Sequence, residues 1–305
     1  MVYMTTPTNN RGIFFALGAA ALYALSVPFG KRLLSSLSPA MLAGLLYVGA
    51  GMGMTILQAV TGKQRERHEI PLTKADLPYA VGMILLDIIA PILLMLGLKS
   101  TGPETTSLLN NFEIVATSVF ALLFFGETIS RKLWWGILLI FTASLLLAFD
   151  DSANLTFSGG AVLVLLATVC WGLENNLTRK MSAKDPIQIV VLKGWFSGIG
   201  SLIVALVSGT FVWVIGPFFL ALLLGFVAYG LSIFLYVHAQ RRLGAAKTSV
   251  FYAVAPFLAA GLSFFLYPVL PEWTFYPALG LMAFGAWLSA RSNSSMTNPE
   301  VPDGQ

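Results

Sequence analysis

Four ionisable side chains, Asp87, Glu113, Glu174 and Lys193, stand deep inside long apolar stretches of this chain. A charge at the centre of a bilayer costs at least about 2.5–3.5 kcal/mol on insertion scales, so one that stays there marks a functional site by default. Three carboxylates and one ammonium can form an ion pair, hold a cationic or zwitterionic solute, or take up and release protons. Amides and rings surround them at helical spacing. Asn110, Glu113 and Thr117 fall at i, i+3 and i+7, and Asn111 lies beside them. Trp171, Glu174, Asn175 and Thr178 form a second stripe, Tyr229, Ser232 and Tyr236 a third, and Ser249, Tyr252 and Pro256 a fourth; Tyr23 shares a face with Ser26 and Gly30. Membrane Trp and Tyr normally gather at the interfaces, the position expected for Trp134, Trp135, Trp213 and Trp273. Rings at mid-stretch beside polar groups, among them Tyr23, Trp171, Trp195, Tyr229 and Tyr252, instead suggest a cavity with apolar walls and hydrogen-bonding tips.

The stretches that must position these groups dominate the composition. Of 305 residues 57% are apolar and 10% are charged, against about 25% charged in an ordinary soluble chain, so a set of water-soluble domains is excluded. The single Cys170 cannot close an internal bridge, and the net charge of +4 is not gathered into a basic tract, which argues against a disulfide scaffold and against nucleic-acid binding. A span needs about 20 mainly apolar residues. Ten such runs lie near 12–36, 39–61, 77–98, 104–125, 132–149, 158–180, 186–207, 216–240, 245–267 and 274–290. The fold class expected is therefore an all-α integral membrane protein with ten transmembrane helices. Tight turns at 98–104, 180–186 and 240–245 make the flanking helices antiparallel neighbours. Reflecting about the second of these turns puts Glu174 and Lys193 at equal depth, so a buried ion pair is expected. It either staples two helices or borders a solute path, opening and re-forming between states.

If both ends of the chain share one side, fourteen of the eighteen Lys and Arg lie on that side, three (Lys31, Arg32 and Lys99) lie on the other, and Lys193 is inside. The excess predicts cytoplasmic termini, with snorkelling accommodating the Lys31-Arg32 pair. Two blocks recur in order. Tyr23-Ala24 through Lys31-Arg32 to Pro39 parallels Trp171-Gly172 through Arg179-Lys180 to Pro186, and Gly102 to Ser107 parallels Gly244 to Ser249. The halves, 12–149 and 158–290, then hold five spans each, joined by a loop at 150–157 and flanked by tails at 1–11 and 291–305. An odd number of spans forces the second copy to enter from the opposite side, the pattern of inverted-repeat carriers with a midplane site.

These blocks resemble the drug/metabolite transporter superfamily, in its ten-helix EamA-type branch. The likeness covers about residues 12–290 and rests on Trp171-Gly172, its echo Tyr23-Ala24, the Gly-x-x-x-Thr-Ser openings at Gly102 and Gly244, and Gly126-Glu127. Pro271-Glu272 departs from the Gly-Glu expected there. The aromatic-rich interior is similar to that of the bacterial aromatic amino-acid exporters of this branch. The resemblance implies a secondary transporter of the inner membrane that exports amino acids, aromatic ones preferred, and related metabolites; the alternative is a multidrug or cationic-compound exporter. The substrate-binding residues would be Tyr23, Asp87, Asn110, Asn111, Glu113, Trp171, Glu174, Asn175, Lys193, Tyr229 and Tyr252, with Pro28, Gly30, Pro91 and Pro256 as flexing points. The expected partners are a small-molecule substrate and the lipid bilayer, with no nucleic acid, no cofactor and no metal, and a monomer is compatible with all of this. His68 and His238 lie in a loop and at a helix end, and no Gly-x-Ser-x-Gly or Walker loop occurs, so the chain is not expected to be an enzyme.

Overall fold

A computed structural model describes residues 10–65, 70–125, 130–151, 156–181 and 183–292. His68, the Gly126-Glu127 turn, the middle of the 150–157 loop and most of both tails lie outside the described residues. In hydrocarbon every backbone N–H and C=O must be paired within the segment, which leaves helices as the way across for continuous apolar runs. The described residues form α1 (Asn10–Tyr23), α2 (Ser26–Leu33), α3 (Pro39–Arg65), α4 (Leu77–Ser100), α5 (Pro103–Leu109), α6 (Phe112–Phe125), α7 (Arg131–Ala148), α8 (Gly159–Met181), α9 (Pro186–Val207), α10 (Ile215–Leu224), α11 (Ser232–Tyr252), α12 (Ala255–Leu266) and α13 (Phe275–Ser292). A small antiparallel pair, β1 (Phe149–Asp151) and β2 (Thr156–Phe157), joins α7 to α8. Eight helical stretches are long and apolar enough to cross a membrane, and two shorter apolar helices, Ala255–Leu266 and Phe275–Ser289, accompany them.

Several stretches are interrupted near their middle. The first breaks at Ala24-Leu25, four residues before Pro28, which has no N–H to offer the Ala24 carbonyl. The fourth breaks at Asn110-Asn111, where Asn111 N–H turns back to the Leu108 carbonyl at 3.0 Å. The ninth breaks at Ala253-Val254, just before Pro256, and a wide π-helical turn over Gly225–Leu231 links α10 to α11. Pro91, by contrast, sits inside α4, which continues through it. Gly30 lies in α2, where an added Cβ would make only ordinary contacts with Leu98 and Met95.

Helical hydrogen bonding runs from Ser232 to Tyr252, across the turn expected at 240–245. The stretch nevertheless reverses. The Tyr236 and Tyr252 rings lie 4.8 Å apart, whereas sixteen residues of straight helix would separate them by about 24 Å. Tyr229 and Tyr252 likewise both lie within 6 Å of Tyr23. The turn at 180–186 is built as its sequence suggests, with Asp185 Oδ1 accepting from Ile187 N–H at 2.9 Å and Pro186 opening α9.

Glycines decide which helices touch. Gly194 and Gly198 on α9 form a Gly-x-x-x-Gly edge that meets Gly44, Tyr47, Val48 and Gly51 of α3; this small-residue spacing lets membrane helices approach closely. A Cβ on Gly194 would stand 2.3 Å from the Gly51 nitrogen. Gly49 meets Leu222 of α10 and Gly225 of the π turn meets Leu46 of α3 equally closely, so α3 lies at the centre, and its Tyr47 is among the largest fully buried side chains. Gly194→Val is accordingly expected to cost about 1–3 kcal/mol by overpacking, read as a lowered thermal unfolding midpoint in detergent. Gly216→Val, in open space, should leave the midpoint unchanged.

Lys31 is placed differently from the snorkelling expected of it. Its Nζ donates to the carbonyls of Leu98, Lys99 and Thr101 at 2.6, 3.2 and 3.0 Å, closing the C-terminal end of α4, where a cation is favoured by the unpaired carbonyls. Tyr267 Oη adds a bond to the Pro28 carbonyl at 3.1 Å. Together these contacts tie α2 to α4 and to the chain that follows α12.

Candidate functional site

The ionisable cluster grows from the contacts just described. Because α9 lies against both α3 and α4, Lys193 reaches two carboxylates, Glu174 of α8 at 2.9 Å and Asp87 of α4 at 3.1 Å. The Glu174–Lys193 pair anticipated from the hairpin is present, and Asp87 is its third member. Tyr47 Oη donates to the other Asp87 oxygen at 2.8 Å, and Thr178 Oγ1 donates to Glu174. Asp87 and Tyr47 are at most 2% exposed, and Lys193 and Glu174 are also buried. An ammonium held between two carboxylates in this setting is compensated twice over, whereas removing it would strand both.

Glu113 is held apart from that cluster. Gly172 lets α8 press on α6 so closely that a Cβ there would meet Ala116 and the Thr117 nitrogen at 2.5–2.8 Å, which gives the Trp171-Gly172 motif a packing role. Asn176 Nδ2 fixes the contact by donating to the Thr117 and Gly172 carbonyls. That places Asn175 Nδ2 on Glu113 Oε1 at 2.5 Å, with a weaker contact to Thr117 Oγ1 at 3.4 Å. Among the described residues no ion pair engages Glu113.

Both groups face one cavity of about 80 Å³, lined by Tyr23, Tyr47, Glu113, Trp171, Glu174, Asn175, Thr178, Lys193, Tyr229, Ile233, Tyr236, Val237 and Tyr252. The tyrosines contact one another around it, with ring centroids 5.2 Å apart for Tyr47–Tyr229, 5.9 Å for Tyr23–Tyr229 and 5.8 Å for Tyr23–Tyr252. The Tyr229 hydroxyl is buried without a hydrogen-bond partner, a state that costs about 1–3 kcal/mol unless a ligand group meets it. The lining extends along α8 and α11 toward the turns at 180–186 and 240–245. On the opposite side the half-helices α2, α5 and α12 pack on one another.

Eight of the eleven substrate-binding candidates line this cavity, and three do not. Asp87 lies behind Lys193 and Tyr47, fully buried, and touches the cavity through those two side chains. Asn110 and Asn111 sit at the break between α5 and α6, so the i, i+3, i+7 face projected through them toward Glu113 does not form. Asn111 instead points its amide at Met282 Sδ, 4.0 Å away. In the third stripe Tyr229 and Tyr236 reach the cavity, and Ser232 stands beside Tyr252 of the lining and donates to the Ala19 carbonyl at 2.9 Å. Trp195 turns away altogether, and its indole N–H bonds Thr55. Tyr47 lines the cavity but was missing from the sequence reading. Its one signal is a large ring among Gly44, Gly49, Gly51 and Gly53. Among the described residues no cluster of His, Cys, Asp and Glu could hold a metal, and the half-buried Cys170 packs against the main core.

Comparison with known proteins bears on the whole chain. A model of the EamA-like transporter family matches residues 10–149 and again residues 158–291. An uncharacterised transporter of Methanothermobacter thermautotrophicus is 26% identical over 212 residues, 65% of this chain and 62% of that protein. The uncharacterised transporter YyaM of Bacillus subtilis is 26% identical over 182 residues, 56% of this chain and 59% of that protein. The similarity thus spans about three fifths of each relative's length. A solved crystal structure superposes with a TM-score of 0.67 at 16% identity, covering 93% of this chain and 98% of that one, which shows a shared fold.

Proposed function

The chain belongs to the EamA-like transporter family, and from that premise we propose that it is a secondary carrier exporting small amine-bearing metabolites with an aromatic body, the aromatic amino acids and their relatives, across the cytoplasmic membrane. The observation that carries this reading is Glu113. It is a carboxylate in the cavity wall, bonded to an amide and, among the described residues, to no cation, and tyrosine rings stand around it. An ammonium N–H can take the remaining lone pairs of the carboxylate, and an aromatic body can pack on Trp171, Tyr23, Tyr229 or Tyr252.

The carrier works by alternating access in this proposal, with two inverted five-helix halves forming ten spans and both termini in the cytoplasm. Two features support it. The segments matched by the family model coincide with the two halves. The breaks at 110–111 and 253–254 also fall at corresponding places after Gly102 and Gly244, as the interrupted helices of inverted-repeat carriers do. The packed half-helices α2, α5 and α12 then form the closed outer side, and the cavity faces inward. The breaks near Pro28 and Pro256 are the places where the helices can flex.

The alternative reading, export of lipophilic cations, is favoured by the surplus of carboxylate in the cavity wall. Proteoliposomes loaded with labelled phenylalanine, phenylethylamine or tetraphenylphosphonium separate the two. Release of the amine-bearing solutes faster than from protein-free vesicles, and slowed by Trp171→Ala, is the expected result. Release of the phosphonium alone would transfer the assignment to the cation class, and no release of any of the three would end the carrier reading.

A further inference from the structure

Resting on the reading of Glu113 as an amine site, we propose that the preferred substrates are carboxylate-free aromatic monoamines rather than the amino acids that share their rings. An amino acid brings a second charge, and among the described residues the cavity lining offers that charge no unengaged cation. Lys193 is the single cationic side chain among the described residues of the lining, and it is already held by Asp87 at 3.1 Å and Glu174 at 2.9 Å. A substrate carboxylate meeting the remaining N–H of Lys193 would be a third negative group on one ammonium whose single charge already serves two buried carboxylates. The free hydroxyl of Tyr229 supplies one hydrogen bond, which does not compensate an ionised group removed from water. A carboxylate placed here would also stand beside Glu113 and Glu174 of the lining, and like charges brought together repel.

An amine without the carboxylate meets none of these penalties. Its N–H groups face Glu113, its ring meets the tyrosines, and the Lys193 cluster stays closed. Glu113 accepts hydrogen bonds, which a primary ammonium donates and a quaternary one cannot. The class of reaction that supplies such a substrate is amino-acid decarboxylation, in which the bond from Cα to the carboxylate breaks, CO2 leaves and a proton takes its place on Cα.

The test uses the full chain in proteoliposomes, with labelled phenylethylamine exchanging against unlabelled competitors. Phenylethylamine and phenylalaninamide, which keeps the size of the amino acid and loses its negative charge, are expected to compete at least about 10-fold better than phenylalanine, a difference of about 1.4 kcal/mol. Equal or better competition by phenylalanine would overturn the proposal while leaving the carrier reading standing. Failure of all three to exchange would remove both. A second measurement addresses the cause: Asp87→Asn relieves Lys193 of one carboxylate and should narrow the gap between phenylalanine and phenylalaninamide. An unchanged gap in a protein that still transports would show that the engagement of Lys193 does not set the preference.

Discussion

Glu113→Gln should lower amine transport by about 10- to 150-fold while leaving the protein folded. The substitution keeps the volume and the shape of the side chain, and the amide oxygen can still accept from Asn175, which lies 2.5 Å from Glu113 Oε1. What disappears is the negative charge that an ammonium would meet. Hydrogen bonds to charged groups are worth about 1.5–3 kcal/mol, and each 1.4 kcal/mol is a factor of ten, which gives the range. Exchange of labelled phenylethylamine in proteoliposomes reads the loss, and an unchanged unfolding midpoint shows that it is not a folding defect. Asn175→Ala should have a smaller effect, since it frees Glu113 without neutralising it. Full activity in Glu113→Gln would remove Glu113 from the site.

Lys193→Met should cause the largest loss of stability of any single change in the cluster, about 3–5 kcal/mol, the scale of leaving buried charges unpaired. Two carboxylates depend on this one ammonium, each at most 2% exposed, and among the described residues Tyr47 and Thr178 remain to bond them. The same reasoning predicts a rescue. Lys193→Met combined with Asp87→Asn and Glu174→Gln removes all three charges and should recover most of the loss, because apolar or neutral replacements of a whole buried ion cluster are often close to neutral. Thermal unfolding in detergent measures both. A triple variant no more stable than Lys193→Met would mean that packing, not charge, is what Lys193 provides.

How much of this was legible beforehand differs between the fold and the site. The apolar stretches could be located because apolar length is set by bilayer thickness, eight of them being long enough to cross among the described residues, and the Glu174–Lys193 pair because a short turn fixes equal depth on two neighbouring helices. Both are local properties of the chain. The partnership of Lys193 with Asp87 is not local. It depends on α9 lying against α4, where Ser197 Oγ reaches the Ile84 carbonyl at 3.4 Å. The place of Tyr47 depends likewise on the glycine contacts between α3 and α9. Asn110 and Asn111 were misplaced for a different reason. A periodicity argument assumes an unbroken helix, and the stripe through them crosses a break. Such interruptions cluster around the cavity, so the periodicity argument failed close to where the chemistry is proposed.

The most direct test of the central claim, a carrier that presents the Glu113 cavity to either side of the membrane in turn, is counterflow. Proteoliposomes holding the full chain are preloaded with unlabelled phenylethylamine and diluted into a trace of the labelled amine. A transient accumulation of label inside, above its external concentration, is expected, and Glu113→Gln should reduce it at least about tenfold. Label that enters at the same rate whether or not the vesicles are preloaded would contradict it and would point to a pore.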